Sequence, residues 1–323
     1  MTTSYGESVF ARYSRKNQYL DSVRSLLGRD PSPDANMWFV HSTRGDDGNP
    51  GSIGGPLKTL SAALAKCRDD RDDCVVALPG SVFSATADLT TSAAGVNILG
   101  IGAGGLQPQI TISNSTTSLV IGGSGTYIAG FNVHSATGET DSSTGIFIGK
   151  GNFTMKNCRL NVIGVGAAAY IGASAGNNIT FVGNRVRGSG TAAIFSTIFV
   201  NEFKFADNNA YGTWSNGLVS MTSTGSAGFV MVSGNLAYNK SATAPSFMNV
   251  TNSNANGYIK GNSIASQVKV SSSESSIADV VAGSAGEMMV FQNFVCLATQ
   301  GFQGFMPTQW AANVGASQMN ASA

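Results

Sequence analysis

The sequence predicts an all-β solenoid of parallel coils, on three observations. An octet of alternating character, Ile179-Thr-Phe-Val-Gly-Asn-Arg-Val186, returns with starts at Phe153, Phe203, Phe229, Gly257 and Met288, and in weaker form at Val96 and Thr126. Successive starts lie 30, 27, 26, 24, 26, 28 and 31 residues apart, within the range of about 20–50 that marks a repeat architecture. Each octet alternates apolar and polar with period two and favours Phe, Ile, Val and Tyr, the pattern of a strand with one buried face. A second short apolar segment keeps step with the first: Leu119–Ile121, Ile146–Ile148, Ala169–Ile171, Ile194–Phe195, Leu218–Val219 and Phe247–Met248. Gly, Ser, Thr and Asn fill the intervals, as turns require. Two or three strands per coil follow, and a coil buries its inner face only by stacking on the next.

A corner closes each octet. Asn184, Asn208, Asn262 and Asn293 hold its sixth position; Asn157 sits one place earlier, Asn132 and Asn235 one place later. Asn tolerates the left-handed conformation that a sharp corner needs. Stacked amides also bond along a column, so these residues are expected to form an Asn ladder. Here the chain resembles the right-handed parallel β-helix proteins, namely the pectate-lyase-like enzymes and bacteriophage tailspikes. The resemblance covers roughly residues 36–296. It implies a fold rather than an activity, because one fold hosts many functions.

In chain order, residues 4–27 read as a helical arm. Ser4-Tyr-Gly-Glu7 fits a capping box, and Phe10, Tyr13, Leu20, Val23 and Leu27 form an interrupted apolar stripe. Gly28 and then Asp30-Pro-Ser-Pro33 end the helix. Arm and linker are expected over 1–35, the stripe serving either as a cap on the first coil or as an anchor onto a partner. Nucleic acid is not an expected partner, because the basic cluster Arg12, Arg15, Lys16 and Arg24 is short and few aromatics interleave with it.

The β-helix is expected over 36–296, its opening cap over 36–80. A strand starts at Met37, and a Gly/Asp-rich loop runs to Gly55. A helix then starts at Pro56, with Leu57, Leu60 and Leu64 on one stripe, before a strand at Val75–Leu78. Such a helix covers the first coil, whose open end otherwise exposes strand edges and core. Asp46, Asp47 and Asn49 read as a solvated Asx turn rather than a calcium loop. The repeat stops after Val295. Residues 297–323, with Phe302, Phe305 and Trp310, form a C-terminal cap or tail that packs on the last coil or on another subunit.

Composition narrows the function. Charged residues are 11% of the chain, against about 25% in ordinary domains. The net charge of +1 gives no strong field toward nucleic acid or membrane. No apolar run reaches the ~18 residues of a membrane span, and the first twenty residues lack the apolar core of a signal peptide. Cys67, Cys74, Cys158 and Cys296 show no metal spacing and read as free, partly buried thiols. The expected history is synthesis in a host cytoplasm and residence in a virion.

Few residues offer chemistry. Glycoside hydrolysis generally needs two carboxylates about 5–10 Å apart. Between Val96 and Cys296 the acids are Glu139, Asp141, Glu202, Asp207, Glu274, Asp279 and Glu287. Residues one period apart stack at about 4.8 Å, but Asp207 lines up with Gly183 and Ser233, neither of them acidic. Arg159 and Arg185 share an octet position and should stack, without the acidic cluster that pectate-lyase-like chemistry implies. His41 and His134 stand in unrelated contexts, and no triad, metal or phosphate-binding spacing emerges. No catalytic residue, metal or cofactor is expected. Tyr170, Tyr211 and Trp214 are the candidates for lining a carbohydrate-binding groove.

Low charge, the missing catalytic constellation and the tailspike resemblance together lead to a non-enzymatic structural protein of a bacteriophage virion: a spike, fibre or capsid decoration anchored by its N-terminal arm. The resemblance implies a homotrimer with other virion proteins, of capsid or tail, as partners. The alternative is a tailspike depolymerase or carbohydrate-binding module acting on a host surface polysaccharide.

Overall fold

The computed structural model describes residues 19–85, 88–112, 119–135, 144–163, 167–172, 177–190, 192, 194–196, 200–214, 217–221, 228–240, 247–250, 255–266, 281–282, 287–297, 301–305 and 309–312. A helix, α1, occupies residues 19–27. β1 (Met37–Val40) and a short helix, α2 (Leu60–Leu64), precede the regular coils. Each coil then contributes three strands. The first three are β2 (Cys74–Ala77), β3 (Val82–Ala85) and β4 (Leu89–Thr91). Next come β5 (Asn97–Gly100), β6 (Gln109–Ile112) and β7 (Leu119–Ile121), then β8 (Tyr127–Ala129), β9 (Asn132–Ser135) and β10 (Thr144–Ile148). The middle of the chain adds β11 (Phe153–Lys156), β12 (Arg159–Ile163) and β13 (Ala167–Ile171), then β14 (Ile179–Val182), β15 (Arg185–Gly190) and β16 (Ile194–Ser196). β17 (Glu202–Ala206), β18 (Asn209–Trp214) and β19 (Val219–Met221) come after these, then β20 (Phe229–Ser233), β21 (Leu236–Asn239) and β22 (Met248–Val250). The last parallel strands are β23 (Asn256–Lys260), β24 (Ser263–Ser266), β25 (Val281–Ala282), β26 (Glu287–Phe291) and β27 (Phe294–Leu297).

Every third strand stacks on its equivalent, which makes three sheets. The first, begun by β1 and β2, has 11 strands; the second, begun by β3, has 10; the third, begun by β4, has 8. The all-β, parallel β-solenoid is therefore present, with three strands per coil. The stack ends by reversing direction: β28 (Gly301–Phe305) pairs antiparallel with β27, and β29 (Gln309–Ala312) antiparallel with β26. Each of these strands covers an edge that a parallel stack would leave open.

The octet register needs one correction. Phe153, Ile179 and Phe203 are partners in successive coils, but Phe203 pairs with Val230, not Phe229, and Val230 pairs with Gly257. Phe229-Val-Met-Val is apolar throughout, so its periodicity carries no phase. Val230 and Val232 point inward and are wholly buried, while Phe229 stands on the outer face, 40% exposed. Inside, Phe153, Phe181, Phe203 and Phe205 fill the lumen, with ring centroids of successive pairs about 6 Å apart. Each such side chain contributes on the order of 1.5–3 kcal/mol by burial.

The corner divides its two tasks between neighbouring residues: of the Asn residues expected at the corner, Asn157 takes the left-handed turn, but the sixth-position Asn184, Asn208, Asn262 and Asn293 do not. The left-handed residue is the fifth of each octet: Asn157 (φ 53°), Gly183 (66°), Asp207 (55°), Gly234 (64°), Gly261 (63°) and Gln292 (54°). The sixth residue, freed from that strain, keeps its side chain inside. Gly183 is required twice over, since a Cβ there would stand 2.6 Å from Asn157 Oδ1.

At the N-terminal end the helix starts later than Pro56 suggests. Leu57 still extends alongside β1, bridging Val40, and α2 begins at Leu60 behind an N-cap on Thr59. Asp47 fixes that start: its carboxylate accepts from the Lys58 and Thr59 amides and from Thr59 Oγ1, all at 2.9 Å. Asp46 forms the Asx turn, accepting from Gly48 N at 2.8 Å. Leu57, Leu60 and Leu64 are all buried and close the lumen against Val40, Val75 and Ala77.

α1 covers a flank, not the open end. Tyr19 meets Phe39 of β1, centroids 6.4 Å apart. At the other end of the helix, Tyr127 of β8 donates its hydroxyl to Leu26 O at 2.6 Å. Val23, wholly buried, packs with Cys74, Val76, Leu99 and Ala129 on the outer face of the first sheet. The helix therefore lies along the stacking axis, with Tyr19 at the β1 end of the rod.

Candidate functional site

Two columns run through the rod at fixed register, one buried and one open. The buried column is the amide ladder. Asn184, Asn208, Asn262 and Asn293 stand in it, and the corrected register adds Asn235. From Asn208 onward each Oδ1 accepts two donors from the Asn one coil earlier, its backbone N and its Nδ2, at 2.8–3.1 Å. Each Nδ2 of the five also donates to a carbonyl of the preceding coil, from Met155, Phe181, Phe205, Val232 and Ile259 in turn. The five side chains are 1–2% exposed, so the ladder is satisfied without water and serves structure, not binding.

The open column lies on the outer face of the second sheet. Arg159 pairs in register with Arg185, and on the adjacent row Asn161, Arg187, Tyr211 and Tyr238 succeed one another through β12, β15, β18 and β21. Arg159, Arg185 and Arg187 are exposed and, with Asn132, Leu160 and Asn161, line a shallow recess of about 160 Å³. Tyr211 and Tyr238 stack with centroids 5.4 Å apart and planes at 14°. Lys240 Nζ stands 5.2 Å from the Tyr211 ring centroid, and bonding to that phenol raises the Lys240 pKa above its ordinary value.

The three aromatics expected to share a groove do not share one. Tyr211 is on this face, 44% exposed. Trp214, three residues on along β18, has the opposite parity, is 2% exposed and belongs to the lumen. Asn239 clamps its backbone, accepting from Trp214 N and donating to Trp214 O. Tyr170 lies on the third sheet, stacked on Phe147 at 5.6 Å. Of the anchoring stripe, Val23 and Leu27 pack within the chain itself and Leu20 is half-buried; Phe10 and Tyr13 lie outside the described residues. Sequence reasoning missed Arg187 and Tyr238 as members of the open column. The one-residue slip at Phe229 moves Tyr238 out of line with Tyr211; starting that octet at Val230 aligns them.

Glu202 and Asp207 do not form a catalytic pair, and Glu287 opens a strand of the first sheet three coils beyond Glu202. Glu202 opens β17 on the outer face of the first sheet, and Asp207 occupies the corner beyond its other end. At about 3.3 Å per residue they stand roughly 16 Å apart, beyond the spacing of glycosidase carboxylates. Glu139, Asp141, Glu274 and Asp279 lie outside the described residues. His41, 8% exposed, is a loop acceptor: its Nδ1 takes the Thr43 and Arg44 amides at 3.2 Å. Burial, then the Arg44 charge, hold its pKa below the ordinary value. Cys67, Cys74 and Cys158 are free thiols, each pushed up to about 12, chiefly by burial.

No protein-family model matches the chain, and no curated protein matches it. Among solved structures it is similar to ORF18 of Geobacillus virus E2, at 12% identity over 96% of this chain and 67% of that one, with a TM-score of 0.44. It is also similar to a rhamnogalacturonan lyase, at 14% identity over 81% and 69%, TM-score 0.41. A GH136 lacto-N-biosidase from Eubacterium ramulus matches at 13% identity over 89% and 71%, TM-score 0.29. Likeness at this level carries no argument about activity or partner.

Proposed function

We propose that this chain is a non-enzymatic structural protein of a bacteriophage particle, a spike, fibre or capsid decoration that anchors at its α1 end and displays a rigid β-helix. The observation that carries the reading is the continuity of the rod. Each coil is hydrogen-bonded to the next on three sides, and the five-membered amide ladder ties the later coils along a buried corner. Such a stack resists bending, and Glu202 and Asp207 on its coils stand too far apart to act as a pair. Tyr19, the first described residue, meets Phe39 at the β1 end of the rod. Homotrimerisation belongs to this proposal: Phe229 and Tyr258, in edge contact at 6.2 Å on the outer face of the first sheet, offer apolar surface to a neighbouring copy. Light scattering tests it. A mass three times the 33.2 kDa of the chain is expected. A monomer that also fails to co-sediment with particles of its phage overturns it.

A second reading, a carbohydrate-binding module or tailspike depolymerase acting on a host surface polysaccharide, is supported by one observation: the stacked Tyr211–Tyr238 pair beside three exposed arginines. Viscometry on the host's capsule or O-antigen separates its two forms, since only the enzyme lowers viscosity with time.

A further inference from the structure

We infer that the outer face of the second sheet holds an anionic glycan laid along the stacking axis, its carboxylates on Arg159, Arg185 and Arg187 and its hydroxyls on Tyr211, Tyr238 and Asn161. This deepens the second reading above and rests on it.

The arginines are the first reason. Two exposed arginines near the N-terminal end have acidic partners, Arg24 with Asp21 and Asp30 and Arg29 with Asp72 at 2.8 Å, while Arg44 and Arg68 have none among the described residues and stand singly. Among the described residues, no carboxylate lies within ion-pair distance of Arg159, Arg185 or Arg187. Arg159 and Arg185 are direct register partners, about 4.8 Å apart along the stack, and like charges so placed repel. A bound anion removes that repulsion, and a guanidinium fork matches a carboxylate through two parallel hydrogen bonds. The recess between them is shallow and lined by amides as well as cations, which suits a hydroxylated ligand.

The tyrosines add groups suited to a hydroxylated ligand. Single-stranded nucleic acids stack their bases on open aromatic faces. Here Tyr211 and Tyr238 face one another, with Lys240 over Tyr211. One face of each ring is thereby taken, which leaves fewer open faces for base stacking, while the phenol hydroxyls and ring edges beside the arginines suit sugar hydroxyls. Arg187 is the register partner of Tyr211, so cation and phenol adjoin without a gap, and a chain along the axis meets charge in two coils and phenols in the next two.

The test is calorimetric titration of the full chain with hyaluronan, alginate and polygalacturonate fragments, each beside its neutral methyl ester, and with oligo-dT. At least one acid should bind at least about tenfold more tightly than its ester, a difference of ~1.4 kcal/mol. The double substitution Arg159→Gln/Arg185→Gln should cost that acid a further ~tenfold, consistent with the loss of charge-assisted bonds. Tyr211→Phe should cost about threefold through its hydroxyl. Lys204→Gln, an exposed cation on the first sheet, should change nothing. The inference is overturned if no acid binds, if the arginine pair is without effect, or if oligo-dT binds as tightly. Equal binding of acid and ester that still depends on Tyr211 sinks the anionic class but keeps the carbohydrate reading; no saccharide binding at all sinks both.

Discussion

The two halves of the corner column solve one problem with different chemistry. From Asn184 onward the sixth octet position is an amide that meets the corner's backbone groups and its own neighbours. In earlier coils the same position holds Ile101, Phe131 and Cys158, all buried. The boundary lies at Cys158. Its amide donates to Asn184 Oδ1 at 3.0 Å, while its sulfur sits 4.0 Å from Ile128 O, the carbonyl that an Asn there would take, and faces the Phe131 amide. The thiol occupies the place of a first rung, but its nearer carbonyl is Lys156 O at 3.4 Å. Where α1 and the inserted turn at Gly104–Leu106 buttress the rod, an apolar corner suffices; where no described helix lies alongside, amides hold it. The early coils are thus covered from outside and the later ones bonded along the corner from inside.

The sharpest way to break this contrast is Asn208→Ala. It removes the partner of Asn184 N, one of the two partners of Asn184 Nδ2, and the side-chain donor to Phe181 O in a dry corner. At roughly 1–3 kcal/mol per unsatisfied buried group, a loss of about 3 kcal/mol or more should appear in urea unfolding. Val230→Ser should cost about 2 kcal/mol by placing a hydroxyl in the lumen, whereas Phe229→Ser, on the outer face, should cost about 1 kcal/mol or less through its edge contact with Tyr258; the reverse order would restore the uncorrected register. Cys158→Asn should lengthen the ladder by a rung and add roughly 1 kcal/mol, the net worth of a buried hydrogen bond; destabilisation would show that the early coils are built for an apolar corner. Acid provides the smallest effect. His41 is held below its ordinary pKa, so its contribution is complete above pH ~6.5 and lost as pH falls through the folded value, by at most ~1.4 kcal/mol per pH unit. In His41→Gln that part of the pH dependence should vanish.

The repeat was legible because a buried inner face imposes period two, and both the octets and the companion segments at Ile146 and Ala169 fall on strands. Phase failed where four apolar residues run together at Phe229, and the loss of Tyr238 from the open column was the consequence. Trp214 was misplaced for a related reason: an aromatic in a strand is inside or outside by parity alone. The docking of α1 had a signal that went unused. Cys74-Val-Val-Ala77 and Asn97-Ile-Leu-Gly100 are buried on both faces, and such continuous apolar strands imply a second cover. The pairing of Arg159 with Arg185 was visible from spacing; that no described acid answers them required the fold.

Quantitative mass spectrometry of gradient-purified particles tests the structural reading most directly. The expected result is this chain in fixed, multiple copies per particle, lost together when the segment before Tyr19 is deleted, while the remaining rod stays folded. Finding the chain only in the soluble fraction of the lysate, with particles complete without it, would contradict the proposal.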